Sequence, residues 1–290
     1  MGLELSNFSI VATPFRSALG EGPRWISSRN ELFWVDIIGP ALHSLSLDDG
    51  AVRSWKFDEP IGWIIERAGR DDFVIGLKSG FASLSLDPFG IAPIGNPEPD
   101  RPFNRLNDAK VDSAGRIWAG TKSDHDEQNR GALYRLDTNL NWTRLDDVYG
   151  VTNGPTFSPD GSILYHTDSA RRVVYAFDLS ADGQLTGKRE FIRFENEWGY
   201  PDGMTTDSEG GIWIAHWDGG RVSRFRPDGT LERSIHLPAS NITSCAFAGA
   251  DLDRLFVTSA SLSREGEAEA GALFEVHADV CGLPAPAFAG

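Results

Sequence analysis

Glu21, Asn107, Asn153 and Asp202 are four oxygen-bearing side chains, three of them with flanking residues that are alike. Glu21-Gly22-Pro23, Asn153-Gly154-Pro155 and Asp202-Gly203-Met204 share a polar-Gly-x pattern. Brought together, two carboxylates and two amides make a hard-oxygen site. Such a site suits Ca²⁺, Mg²⁺, Mn²⁺ or Fe²⁺, and Zn²⁺ with fewer ligands. Without a cation, Glu21 and Asp202 would repel one another. The competing reading is that these residues cap strand ends or bond water in a wet channel.

Residues so far apart in sequence meet only if the chain repeats. Short apolar segments recur at Leu32–Asp36, Phe73–Leu77, Ile117–Thr121, Ile163–Thr167, Ile212–His216 and Leu255–Ser259, with starts 41, 44, 46, 49 and 43 residues apart. That period suits a four-stranded propeller blade. Turns such as Asp112-Ser113-Ala114-Gly115, Ser158-Pro159-Asp160-Gly161 and Asp207-Ser208-Glu209-Gly210 precede these segments and supply hairpin chemistry. Alternating third strands follow, the last expected over 271–275, and polar fourth strands at 52–57 and 231–235. The sixth unit lacks a fourth strand, and 8–12 is a spare one. The expectation is an all-β, six-bladed β-propeller with four antiparallel strands per blade. The N-terminal strand closes the ring and removes two sheet edges. Residues 1–290 form one domain.

In such a ring the innermost strands line a central channel. Counting back about ten residues from Trp118 and Trp213 places their openers at Glu21, Trp63, Asn107, Asn153, Asp202 and Thr243. Loops after the second strands share that rim. They carry Asp36, Asp124 with His125, Asp168 and His216-Trp217-Asp218. The polar loop 122–127 could wall a pocket, with Asp126 and Glu127 as a solvated charge run. Arg105, two residues before Asn107, could bind substrate or make a blade–blade ion pair. Trp63 could stack on a sugar face or pack in the core. His43, His236 and His277 read as strand surface residues.

The formal net charge of −15 disfavours nucleic acid. Two cysteines make neither a disulfide framework nor a zinc spacing. No stretch approaches membrane-spanning length, and the N-terminus shows no basic region followed by an apolar run. A cytoplasmic enzyme, monomeric or a small homo-oligomer, is the expectation.

With these residues the sequence resembles the SMP-30/gluconolactonase family of regucalcin-like sugar lactonases over nearly its whole length. Gly20-Glu21-Gly22-Pro23-Arg24-Trp25 is similar to the family's N-terminal metal motif, and 105–112 to its Arg-Phe-Asn-Asp-Gly-Lys substrate segment. Thr152-Asn153-Gly154-Pro155 and Pro201-Asp202-Gly203-Met204 resemble its two remaining metal segments. The resemblance implies a divalent cation on Glu21, Asn153 and Asp202, substrate on Arg105 and Asn107, and Asp202 as general base. Asp124 stands where the family often has a glutamate that contacts substrate. The implied reaction is hydrolysis of a sugar-acid lactone, five- or six-carbon, to the open acid. The residues alone leave two alternatives open: a hydrolase of organophosphates or other esters, and a metal-binding protein without catalysis.

Overall fold

The computed structural model describes residues 7–125 and 129–290, so Asp126 and Glu127 lie outside the described residues. Six four-stranded antiparallel sheets form a ring. Five are consecutive meanders whose innermost strands are Gly20–Ile26, Ile61–Glu66, Asn104–Val111, Thr152–Phe157 and Tyr200–Thr206. The sixth runs outward from Ile242–Ala248 through Arg254–Ser259 and Phe274–His277 to the N-terminal Phe8–Ile10. Phe8 faces Val276 and Ile10 faces Phe274, so the expected closure is present. No helix among the described residues is long and apolar enough to cross a membrane.

The repeated turns explain why the second strands start where they do. Asp112 Oδ1 accepts the backbone N–H groups of Ala114 and Arg116 at 3.0 and 2.9 Å, and its Oδ2 accepts Trp118 Nε1 at 2.8 Å. Asp207 does the same for Glu209, Gly211 and Trp213 at 3.0, 2.8 and 2.9 Å. One carboxylate thus shapes the turn and satisfies the only polar atom of a fully buried indole.

The apolar core is divided into six clusters, one between each pair of neighbouring blades. Phe33, Ile64 and Phe73 join blades 1 and 2, whereas Trp25, Trp34 and Phe256 join blades 1 and 6. A buried aromatic ring removes roughly 150–250 Å² from water. At ~25 cal/mol per Å², each ring contributes about 4–6 kcal/mol before entropy is counted. Blade-to-blade packing is therefore where the large apolar side chains are buried.

The third strand of blade 6 begins at Phe274 rather than 271. Gly271 has φ +79°, and a Cβ there would meet the Ser17 carbonyl oxygen. The chain bends at Gly271 to fit blade 1. His43 is buried, not a surface residue: its ring stacks on Phe15 and its Nδ1 bonds Ser54 Oγ at 2.8 Å.

The segment 281–290 has no strand pattern, yet it straps the far end of the channel. It bonds Ser208 of blade 5, Leu252 of blade 6, Glu66 and Ala68 of blade 2 and Gly115 of blade 3. The Arg24 guanidinium of blade 1 donates to the Pro286 carbonyl at 2.6 Å.

Candidate functional site

Each innermost strand breaks register with its neighbour at its opener. The shifts lie at Glu21/Arg24, Ile61/Trp63, Leu106/Ala109, Asn153/Thr156, Pro201/Met204 and Ile242/Ser244. Such a bulge re-aims the side chain beside it. Gly22 and Gly154, at φ +53° and +68°, follow Glu21 and Asn153 directly. That conformation is costly for residues with a Cβ, which accounts for these two glycines; at Gly203, after Asp202, a Cβ would instead run into the Ser244 side chain.

Glu21, Asn107, Asn153 and Asp202 line one cavity of about 850 Å³, together with Arg105 and Asp124. The far end is crossed by 281–290, so this mouth is the working face. Two openers are not brought to the cavity. Thr243 donates to the Gly20 carbonyl at 2.5 Å and is fully buried. Trp63, 2% exposed, packs with Ile65, Val74 and Phe81, its indole lying over Gly76. The expectation of a sugar platform at Trp63 is corrected: Gly76 leaves a slot that the ring fills from the core side. Tyr200 and Trp217, cross-strand partners, supply the aromatic wall instead, with the Arg172 guanidinium 3.9 Å from the Tyr200 ring centre. Counting back two residues from each opener, as from Asn107 to Arg105, would have found Leu19, Val151 and Tyr200, all cavity-lining.

A polar chain crosses four blades. Lys78 Nζ bonds Asp124 Oδ2 and Arg105 Nε bonds Asp124 Oδ1, both at 2.9 Å. Arg105 Nη1 donates to Asn107 Oδ1 at 2.5 Å, and Asn107 Nδ2 donates to Asn153 Oδ1 at 2.9 Å. Asn153 Nδ2 donates to Ser169 Oγ at 2.9 Å, which donates to the Pro201 carbonyl at 2.6 Å. This sequence of donors fixes the amide of Asn153. Ser169 had no signature beyond its place after Asp168. Ser169→Ala should lower affinity for a divalent cation by about 10–100-fold with little loss of fold. Titration calorimetry checks this, and unchanged affinity would remove Ser169 from the site.

The other rim acids have structural work. Asp36 accepts the N–H groups of Ala18, Leu19 and Gly39, and Asp168 that of Gly150. They hold the loops entering blades 1 and 4.

The buried acids of the channel are under strain of charge. Burial and the neighbouring Asp108 push the Glu21 carboxyl up to about 8. Burial, Glu21 and Asp108 raise Asp202 well above the usual carboxylate range. Asp108, also missed as a site residue, is 1% exposed and raised to about 6 by burial; it accepts the Ala109 N–H at 2.7 Å and that of Gly154. Asp202 Oδ1 and Asp108 Oδ2 are buried without a hydrogen-bond partner among the described residues. The described residues hold no cluster of three or more His, Cys, Asp or Glu suited to a metal, so the donor set is mixed: two carboxylates and an amide. Opposed carboxylates, an orphaned oxygen and an oriented amide fit a hard divalent cation, which would offset the repulsion.

The fold and site define a six-bladed propeller with an oxygen-lined cavity at one end of its inner strands. The sequence profile of the SMP-30/gluconolactonase/LRE-like region matches residues 19–261, and the chain belongs to that family. It is 37% identical to a 6-deoxy-6-sulfogluconolactonase of Pseudomonas putida, covering 94% of this chain and 96% of the relative. It is 32% identical to an L-arabinolactonase of Azospirillum brasilense, covering 95% and 93%. The crystal structure of a calcium-binding regucalcin from Agrobacterium tumefaciens superposes with a TM-score of 0.91 at 27% identity, covering 97% of each chain.

Proposed function

We propose that this protein hydrolyses the lactone of a five- or six-carbon sugar acid to the open acid, using one divalent cation held by Glu21, Asn153 and Asp202. The observation that carries the reading is the convergence of two buried carboxylates and an oriented amide on the floor of one cavity. The names of the lactonase relatives support the reaction, and the regucalcin neighbour supports a cation such as Ca²⁺. Zn²⁺, Fe²⁺, Mn²⁺ and Mg²⁺ suit the same donors.

The bound ion supplies Lewis-acid charge at the lactone carbonyl oxygen. The chain does the rest. Asn107 and Arg105 position the ring over the channel axis. Asp202 accepts the proton of the attacking water at a carboxylate oxygen and returns it to the ring oxygen as the acyl C–O bond breaks. The apolar wall of Leu19, Ile37, Pro60 and Val151 limits competing water.

The test is acid release from D-xylono-, L-arabinono- and D-glucono-lactones, with uncatalysed opening subtracted. Chelated protein is compared with protein loaded with each ion. Metal-dependent acceleration on at least one sugar is expected. Folded, loaded protein that accelerates none would overturn the reading in favour of another ester, such as an organophosphate, or of binding without catalysis.

A further inference from the structure

Two rings of side chains face the cavity, and their chemistry differs. The lower ring is made by the openers Glu21, Asn107, Asn153 and Asp202. The residue two places before each opener lies one pleat nearer the mouth, about 6–7 Å away. These residues are Leu19, Arg105, Val151 and Tyr200, and all four line the cavity. Arg105 is the charged member, and its charge is already engaged. Its Nε bonds Asp124 Oδ1 at 2.9 Å and its Nη1 bonds Asn107 Oδ1 at 2.5 Å. Asp124 is held in turn by Lys78 Nζ at 2.9 Å, and Lys122 lies close enough to Asp202 to oppose the rise of its carboxyl. The charges of blade 3 thus serve one another and the carboxylate layer.

The rest of the upper ring is aliphatic or aromatic. Tyr200 pairs across the strands with Trp217, which also lines the cavity. The Arg172 guanidinium lies 3.9 Å from the centre of the Tyr200 ring and outside the cavity lining among the described residues. It backs the ring from behind, so the opposite side is turned to the cavity. Toward the mouth the apolar lining continues through Ile38 and Leu262, which stay 48% and 41% exposed. The Leu262 N–H donates to the Ala18 carbonyl at 3.1 Å, which sets Leu262 beside Leu19. Large aliphatic side chains left open in a binding cavity mark surface that a ligand covers. The two rings therefore suit different ends of one molecule. A lactone carbonyl and the hydroxyl beside it find donors and acceptors in the lower ring. A hydroxyl at the far end would exchange water for Leu19, Val151 and aromatic faces, which is unfavourable without a new partner. A methyl or longer hydrocarbon group there only removes apolar surface from water.

We propose that Leu19, Val151, Tyr200 and Trp217 form an apolar subsite, and that the preferred substrate is a lactone whose end remote from the carbonyl carries a methyl or longer hydrocarbon group in place of hydroxymethyl. This rests on the lactonase reading for its substrate but not for its whole test. D-Fucono-1,4-lactone and D-galactono-1,4-lactone differ only in a methyl against a hydroxymethyl group at the chain end, as do L-rhamnono- and L-mannono-1,4-lactone. In a pair that is turned over, the wild type should favour the deoxy lactone by at least about ten-fold in kcat/KM. Leu19→Gln combined with Val151→Thr should cut that ratio at least about ten-fold, by raising kcat/KM for the hydroxymethyl lactone. Val151→Thr alone keeps the side-chain shape and should cut it about three-fold, which serves if the double variant does not fold. The Tyr200 hydroxyl is the competing partner for a sugar hydroxyl, and Tyr200→Phe should leave the ratio unchanged. A smaller wild-type ratio in every pair turned over, or one that the polar variants leave alone, would overturn the proposal. So would a ratio that rises in Tyr200→Phe, since the phenol would then be serving the hydroxymethyl group. If none of these lactones is turned over, binding decides, by thermal shift with D-fuconate against D-galactonate under excess Ca²⁺. A larger shift with fuconate, lost in Val151→Thr, sustains the subsite; an equal or smaller shift refutes it. Failure of every lactone, here and in the test above, counts against the lactonase reading alone.

Discussion

Asp202→Asn should abolish lactone hydrolysis, reducing kcat by at least about 10³-fold, while raising the thermal stability of the metal-free protein. The two effects share one cause. The Asp202 carboxylate is buried, has an oxygen with no partner, and is pressed by Glu21 and Asp108. Removing its charge relieves that repulsion, a gain of order 1 kcal/mol and so about 2–4 °C in Tm. On the proposed mechanism the same change removes a cation ligand and the proton acceptor, and the rate should fall for that reason. The asymmetry separates function from folding. A merely structural Asp202 would give the opposite pattern: a less stable variant with kcat nearly intact. Calorimetry and initial rates on the same preparation decide it.

Chelated protein should lose stability steadily as pH rises from about 5 to about 8, and a saturating divalent cation should flatten that profile. Glu21 titrates at about 8 in the folded protein against 4.5 ordinarily. Between those values the folded state keeps a proton that the unfolded chain has released. Stability is therefore full below about 4.5 and declines as pH climbs, by up to about 1.4 kcal/mol per unit for each such group. Asp202, raised in the same direction, adds to the slope. A cation binds the ionised form and reverses the preference. Thermal melts across this range, with chelator and with Ca²⁺, measure both arms. A flat profile in chelator would mean that the channel acids are hydrated and carry no such strain.

The architecture was legible because it repeats. The second strands follow the apolar segments within a residue or two, since tight turns set their starts, fixed in blades 3 and 5 by Asp112 and Asp207 bonding an indole six positions on. The openers Glu21, Asn107, Asn153 and Asp202 were legible for the same reason. Trp63 illustrates the limit: position in the repeat places its Cα on the inner strand, but Gly76, on the neighbouring strand, decides where the indole goes. Lys122 and Asp124 line the cavity as expected of the polar loop 122–127, whereas Ser169 and Tyr200 join its wall through cross-strand pairing or a neighbouring blade, which one segment's pattern does not encode. The strap at 281–290 follows no period at all; its carbonyls and N–H groups meet partners from five blades.

The ring closure has a consequence for synthesis. The flank of blade 1 bearing Trp25 and Trp34 is covered by Phe256 and Leu273, which the ribosome adds more than two hundred residues later. At about 5–20 residues per second, that apolar flank stays open for roughly 10–50 s on the nascent chain. Joining Phe8 to Val276 then closes nearly the whole polypeptide into one loop, at an entropic cost of about 5 kcal/mol. The three-residue outer strand contributes little against that term. The inter-blade cluster between blades 6 and 1 must hold the circle shut, and until it forms the nascent protein presents an aromatic surface to every neighbour in the cell.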